Sequence, residues 1–166
     1  MALKTLLVMR HAKSDWGATF ADDHERPLSD RGVKAARRIG RFLKDAGMEP
    51  ELVVSSTAVR ARTTSELAAR AGGWKCPIET TPELYASDVV TVLEVLALTD
   101  PAVDRVLVSG HEPTWSMLVS QLMGGGRVRM PTAAVACLDH TVGWQRLDTG
   151  TCELRWLITP KMLKGK

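Results

Sequence analysis

Cysteine is scarce in this chain of 166 residues, which has only Cys76, Cys137 and Cys152. They are odd in number and far apart, so they offer neither a disulfide framework nor metal-ligand spacing. A reducing compartment is the default for such a chain. An excess of one charge is lacking too. The 22 Lys and Arg against 19 Asp and Glu leave a net +3, too little to argue for a nucleic acid or a membrane surface as partner. No apolar run is long enough to span a bilayer, and the stretch Leu6 to Met9 is too short for a signal-peptide core. These absences point to a cytoplasmic protein. No internal repeat, low-complexity tract or linker-like shift in composition divides the chain, so residues 1–166 read as one domain.

What is present is an alternation of apolar runs and helical patterns. "LKTLLVM" (3–9), "ELVVSS" (51–56) and "DRVLVSG" (104–110) read as buried parallel strands. "SDRGVKAARRIGRFLKDAG" sets Val33, Ala36, Ile39 and Leu43 on one helical face, with Ser29 as N-cap and Gly47 as stop. A second helix follows a Ser56 or Thr57 cap and ends at Gly72–Gly73. A third starts after Ser87 or Asp88, and a fourth is capped by Thr114 and stopped by Gly124–Gly126. "AAVACLDH", "GWQRL" and "CELRWLI" read as short strands, some of them antiparallel at a sheet edge. The fold class is therefore α/β, three layers, with helices on both faces of a mostly parallel sheet. Residues 12–28 form a long segment with no pattern of its own, and loops of that length are more often functional than idle.

Ligands of open α/β sheets sit beyond the carboxyl ends of the strands. The first strand ends in Arg10–His11. The second ends in Ser55–Ser56, with Arg60 in the first turn of the next helix, where side chains lean back toward the strand end. The third ends in Ser109–Gly110–His111. Arg-His is a common dipeptide and a first-turn arginine is usually solvated, but three strands delivering Arg, His, Arg and His to one edge is a different matter. Such a cluster is costly unless an anion occupies it, and a helix N-terminus near Ser56 suits an anion as well. Phosphate fits guanidinium forks best. One imidazole can then attack phosphorus while the other donates to a nonbridging oxygen. His24 and His140 read as surface residues.

The ordered set "LLVMRHAKSDW", "ERPLSDRG", "VVSSTAVRARTT", "PELY" and "VLVSGHEPTWSMLVSQL", with "PTAAVACLD" in the tail, resembles the histidine phosphatase superfamily. That superfamily has the phosphoglycerate-mutase-like fold, and the likeness is greatest to its small SixA-like, phosphohistidine phosphatase branch. It runs from Leu3 to about Trp156. The resemblance implies that His11 is the nucleophile and becomes phosphorylated. It implies that Arg10, Arg26 and Arg60 bind phosphate and that His111 stabilises the transferring group. Two departures stand out. Ala12 replaces the glycine that usually follows Arg-His, and no insertion is long enough to cap the site. Glu83 in "TPELY" is the positional candidate for a proton donor, with Asp15, Asp22 and Asp23 behind it; a plain surface charge is the equal reading for Glu83.

The expected function is a metal-independent, cofactor-free phosphatase working through a phosphohistidine intermediate on phosphohistidine in proteins. Its partners would be a phosphorylated protein or a small phosphorylated substrate. The alternatives are a small-molecule phosphomonoesterase of the same superfamily and a phosphate- or phosphoprotein-binding module without turnover. A mutase is disfavoured by the missing cap, and a pure binder by the paired imidazoles.

Overall fold

The computed structural model describes residues 2–165. Its centre is a six-stranded sheet made of β1 (Lys4–Arg10), β2 (Leu52–Ser56), β3 (Ile78–Thr81), β4 (Arg105–Gly110), β5 (Val135–His140) and β6 (Glu153–Ile158). The strand order is β3-β2-β4-β1-β5-β6. The four strands from β3 to β1 are parallel, and β5 and β6 add an antiparallel edge beside β1. Four helices connect or flank them: α1 (Asp30–Asp45), α2 (Val59–Gly72), α3 (Val89–Leu96) and α4 (Thr114–Leu122). Among the described residues no helix is long and apolar enough to cross a membrane.

The period of two along β1 divides the core. Leu6 and Val8 face a layer with Val92 and Leu96 of α3 and Trp115, Leu118 and Leu122 of α4. Leu7 and Met9 face the opposite layer, with Ala36, Ile39 and Leu43 of α1 and Ala68 of α2. Both faces of the central strands are covered, which is why they carry uninterrupted apolar runs rather than alternation. Two glycines let α1 and α2 come together. A Cβ on Gly40 would lie 2.0 Å from the Ala68 carbonyl oxygen, and one on Gly72 would lie 2.4 Å from that of Gly40.

The helix boundaries correct several expectations. Ser29 does cap α1, its Oγ accepting from the Gly32 N–H at 3.1 Å, and Asp88 rather than Ser87 caps α3. Neither Ser56 nor Thr57 caps α2, which begins at Val59 after Ala58 and has no side-chain cap. Thr114 lies inside α4 and donates to the Ser87 carbonyl instead; the Glu112 carboxylate accepts from the Ser116 N–H at 2.7 Å. "GWQRL" is not a strand: Trp144–Arg146 is a 3₁₀ turn that tucks the Trp144 indole under Val103. β3 had no apolar run to announce it, being a short, half-exposed edge strand. His140 is not at the surface but buried in β5, its ring edge-on to Trp144.

Candidate active site

Parallel pairing brings three strand ends into one row. Arg10 is in register with Gly110, and Ser55 with Ser109. One residue further, the His11 N–H bonds the Gly110 carbonyl at 3.0 Å, and the His11 carbonyl accepts from Ala133 at 2.9 Å. The nucleophile candidate is thus fixed by backbone on both sides. Gly110 has to be glycine, because a Cβ there would lie 2.2 Å from the Trp115 ring.

The rings of His11 and His111 face each other with centroids 5.3 Å apart, and both residues are buried. His11 Nδ1 lies 2.7 Å from the Ala12 carbonyl oxygen. A carbonyl only accepts, so the proton is on Nδ1 and the Nε2 lone pair is free. Burial pushes the His11 imidazole down to about 3, helped by the charges of His111, Arg60 and Arg10 against the pull of the Ala12 carbonyl. His11 is therefore neutral at ordinary pH. His111 is pushed down to about 4, again chiefly by burial and then by Arg60. Its Nε2 shares a 2.9 Å hydrogen bond with Ser56 Oγ, while its buried Nδ1 has no partner.

Arg10 and Arg60 lie close enough to the pair to lower both imidazoles, and Arg26 is joined to Arg60 through Asp23. Arg10 donates from Nη1 to the Met130 carbonyl at 3.0 Å. Arg60, 6% exposed, donates from Nη1 to the Asp23 carbonyl and from Nη2 to Asp23 Oδ2. Arg26, in the long loop, is 5% exposed; it donates to Ser14 Oγ at 2.9 Å and to Asp23 Oδ1 at 2.7 Å. Its guanidinium lies 3.6 Å from the centre of the Trp16 ring. The loop that carries it is pinned by a bridge between Ser14 and Leu28 and by a 3₁₀ turn at Asp23–Glu25. Arg10 Nε, Arg60 Nε and His111 Nδ1 are all buried without a protein partner. Nitrogens left unsatisfied at one place are what a bound polyoxygen anion would use.

Glu83 is not brought to this cluster. It is exposed and lines a groove at the β3 edge with Glu51, Leu98 and Asp100, which none of His11, Arg10, Arg60 and His111 lines. Asp15 accepts from Gly17, and Asp22 caps the 3₁₀ turn. Asp23 ties into the cluster through both Arg60 and Arg26, while Glu112, next to His111 and close to Arg10, is engaged by Ser116. The Tyr85 hydroxyl, donating to Asp23 at 2.7 Å, and then Arg60 and Arg26 hold its carboxyl down to about 2. Tyr85 itself stands edge-on to His111 and to His24, at 5.5 and 5.0 Å. The roles of Ser56, Thr64 and Tyr85 carried no signal in the sequence. Thr64 Oγ1, one turn after Arg60, accepts from the Ala12 N–H at 2.9 Å and donates to the Arg60 carbonyl. It ties the strand end to the arginine helix.

Comparison with known proteins places the chain in a family. The profile of the histidine phosphatase superfamily (branch 1) matches residues 6–94. An uncharacterized protein of Mycobacterium leprae is 36% identical over 159 residues, covering 88% of this chain and 96% of that one. The phosphohistidine phosphatase SixA of Escherichia coli is 32% identical over 162 residues, 96% of each chain. A solved protein histidine phosphatase SixA, in complex with tungstate, superposes with a TM-score of 0.83 at 31% identity, over 96% of this chain and 99% of that one. The chain belongs to the histidine phosphatase superfamily, branch 1, and is a phosphatase of SixA-like fold.

Proposed function

We propose that residues 1–166 form one histidine phosphatase domain that hydrolyses phosphohistidine in proteins through a phosphoryl group carried on His11. The observation that carries this reading is the His11–His111 pair, one imidazole with a free Nε2, set beside Arg10 and Arg60, with Arg26 tied to Arg60 through Asp23. The His11 Nε2 lone pair attacks phosphorus and the bond from phosphorus to the substrate nitrogen breaks. The departing imidazole, protonated on its other ring nitrogen before the step, leaves as a neutral group. Water then attacks phosphorus, the bond to Nε2 breaks, and inorganic phosphate leaves with His11 neutral again. The guanidinium groups and His111 Nδ1 stabilise the equatorial oxygens in both steps, a task for charge already in position. The tungstate bound by the SixA relative is a tetrahedral oxyanion of the same kind.

A site that is neutral at His11 needs no metal to lower a nucleophile's pKa, and the arginines supply the positive charge a cation would add. Among the described residues Asp22, His24 and Glu25 bring metal-type donor atoms within 4.8 Å of one another, but His24 is already engaged by Glu25 and Thr57.

The test is to quench wild type during turnover of a phosphohistidine protein and look for an acid-labile, base-stable label on His11. His11→Ala should lose the label and the turnover while keeping the fold. Activity should survive EDTA and be inhibited by vanadate. Turnover in His11→Ala would overturn the nucleophile, and loss with EDTA restored by a divalent cation would overturn the metal-free mechanism.

A further inference from the structure

α1 starts beside the active-site edge, because the chain re-enters the sheet from the carboxyl end of β1. Its buried stripe, Ala36, Ile39, Gly40 and Leu43, faces the core. Another face carries Arg31, Lys34 and Arg38, spaced by three and four so that they fall in one line about 10 Å long. Opposite this line runs the 3₁₀ turn Pro160–Leu163, which contributes Lys161 and, just beyond it, Lys164. Between them is a groove of about 570 Å³, floored by Ala35, Pro131 and Pro160. Lys13, two residues beyond His11, lines the same groove. So does Thr132, next to the Ala133 that bonds the His11 carbonyl. The groove is therefore lined by residues next to the segments that hold the candidate nucleophile in place.

Its charge is of one sign. Lys13, Arg31, Lys34, Arg38, Lys161 and Lys164 line it and no carboxylate does. Among the described residues none of the six is in an ion pair. They exceed the whole chain's net charge of +3, so the remaining surface is on balance acidic. Unpaired like charges held side by side repel one another, and an opposite charge relieves that repulsion.

We propose that this groove docks an acidic segment of the phosphoprotein substrate, beside the phosphohistidine that enters the site. The inference rests on the protein-substrate reading above. An extended polypeptide fits better than a small anion. The cations are spread along a line rather than converging on a point, most are exposed, and none is buried and aimed inward as in the arginine pocket itself.

The experiment uses the full chain with Lys34→Glu, Arg38→Glu and Lys161→Glu combined, and a milder Lys34→Gln, Arg38→Gln pair in case the first folds poorly. Each is assayed on a phosphohistidine protein and on p-nitrophenyl phosphate, with a short poly-glutamate peptide as competitor. KM for the phosphoprotein should rise about tenfold in the triple variant, with less in the Gln pair, and its salt dependence should flatten. kcat/KM for p-nitrophenyl phosphate should stay within about twofold. Poly-glutamate should inhibit wild type on the phosphoprotein and not the triple variant. Unchanged KM and salt dependence would overturn the groove while leaving the substrate reading intact. Wild type inactive on every phosphohistidine protein but active on p-nitrophenyl phosphate would overturn the substrate reading, and the groove with it. Inhibition by tripolyphosphate or an oligonucleotide in place of poly-glutamate would overturn the acidic peptide as occupant.

Discussion

Asp23 is bound to Arg60 twice, its carbonyl accepting from Nη1 at 2.7 Å and its Oδ2 from Nη2 at 2.9 Å. The other carboxylate oxygen takes Arg26, so one acidic side chain aligns the two guanidinium groups of Arg26 and Arg60. It also offsets part of their charge. These two effects act differently on the two halves of catalysis. In Asp23→Ala Arg26 and Arg60 each lose a carboxylate partner, and a net loss equal to one charge-assisted hydrogen bond of about 1.5 kcal/mol lowers kcat by about tenfold. The pocket is also more positive, so inorganic phosphate should inhibit more strongly, with a lower Ki. A variant with unchanged kcat and unchanged Ki would show that the Asp23 bridge is only structural.

Arg26 comes from a loop, yet it is as buried as Arg60. Ser14, Asp23 and the face of Trp16 hold it on three sides. Arg26→Ala should therefore cost on the order of 3 kcal/mol at the transition state, about a hundredfold in kcat/KM. Arg26→Lys should rescue little, because an ammonium cannot make the fork and the stack together. Trp16 is largely exposed, so Trp16→Ala should fold normally and show a smaller loss, read as a higher KM. Activity of Arg26→Ala equal to wild type would return Arg26 to the status of a solvated loop residue.

The parts of the fold that were legible in the sequence are those where one physical pressure dominates. β1, β2 and β4 are covered on both faces and so are apolar throughout, and their ends alone place Arg10, His11, Ser56, Gly110 and His111 in a row. β3 was not legible because "IETT" lies at an edge with little to bury. Trp144 made "GWQRL" look like a strand, but its indole reaches Val103 from a 3₁₀ turn. Asp23 could not be singled out from Asp15, Asp22 and Glu83, since its partners Arg60 and Tyr85 are 37 and 62 residues away. Pairings across such distances leave no local pattern.

Buried histidines also set the response to acid. His140 is pushed down to about 4 by burial, then by Lys4, and neither ring nitrogen has a partner. His11 and His111 are depressed in the same direction, to about 3 and about 4. In each case the unfolded chain binds a proton more readily than the native one. The stability these neutral rings contribute is full above about 6.5 and is lost as pH falls from there toward about 4. The melting temperature should therefore drop between pH 7 and pH 4. His140→Phe, placed against Trp144 and away from the site, should reduce that drop and leave turnover at pH 7 unchanged. The same pH dependence in His140→Phe and wild type would mean that His140 is not the source.

The leaving group gives the sharpest distinction between substrates. An alkyl phosphate must expel an alkoxide, which needs an acid to protonate it. Asp23 is held down to about 2 by Tyr85, Arg60 and Arg26 and is ionised at neutral pH, and the Glu112 carboxylate beside His111 is engaged by the Ser116 N–H and hydroxyl. Glu83 lines another groove. A phosphohistidine expels an imidazole, whose conjugate acid has a pKa of about 6.5, so the nitrogen leaves as a neutral group with a proton available near neutral pH. Aryl phosphates expel phenoxides, which leave without help when the ring is electron-poor. Hence kcat/KM should be high for phosphoramidates and nitrophenyl phosphates and fall steeply along a series of esters as the leaving alcohol becomes less acidic. Glu83→Gln should leave every point of that series where it is. A flat series, or one that steepens in Glu83→Gln, would reveal an acid that protonates the leaving oxygen, and would make small phosphate esters the better substrates.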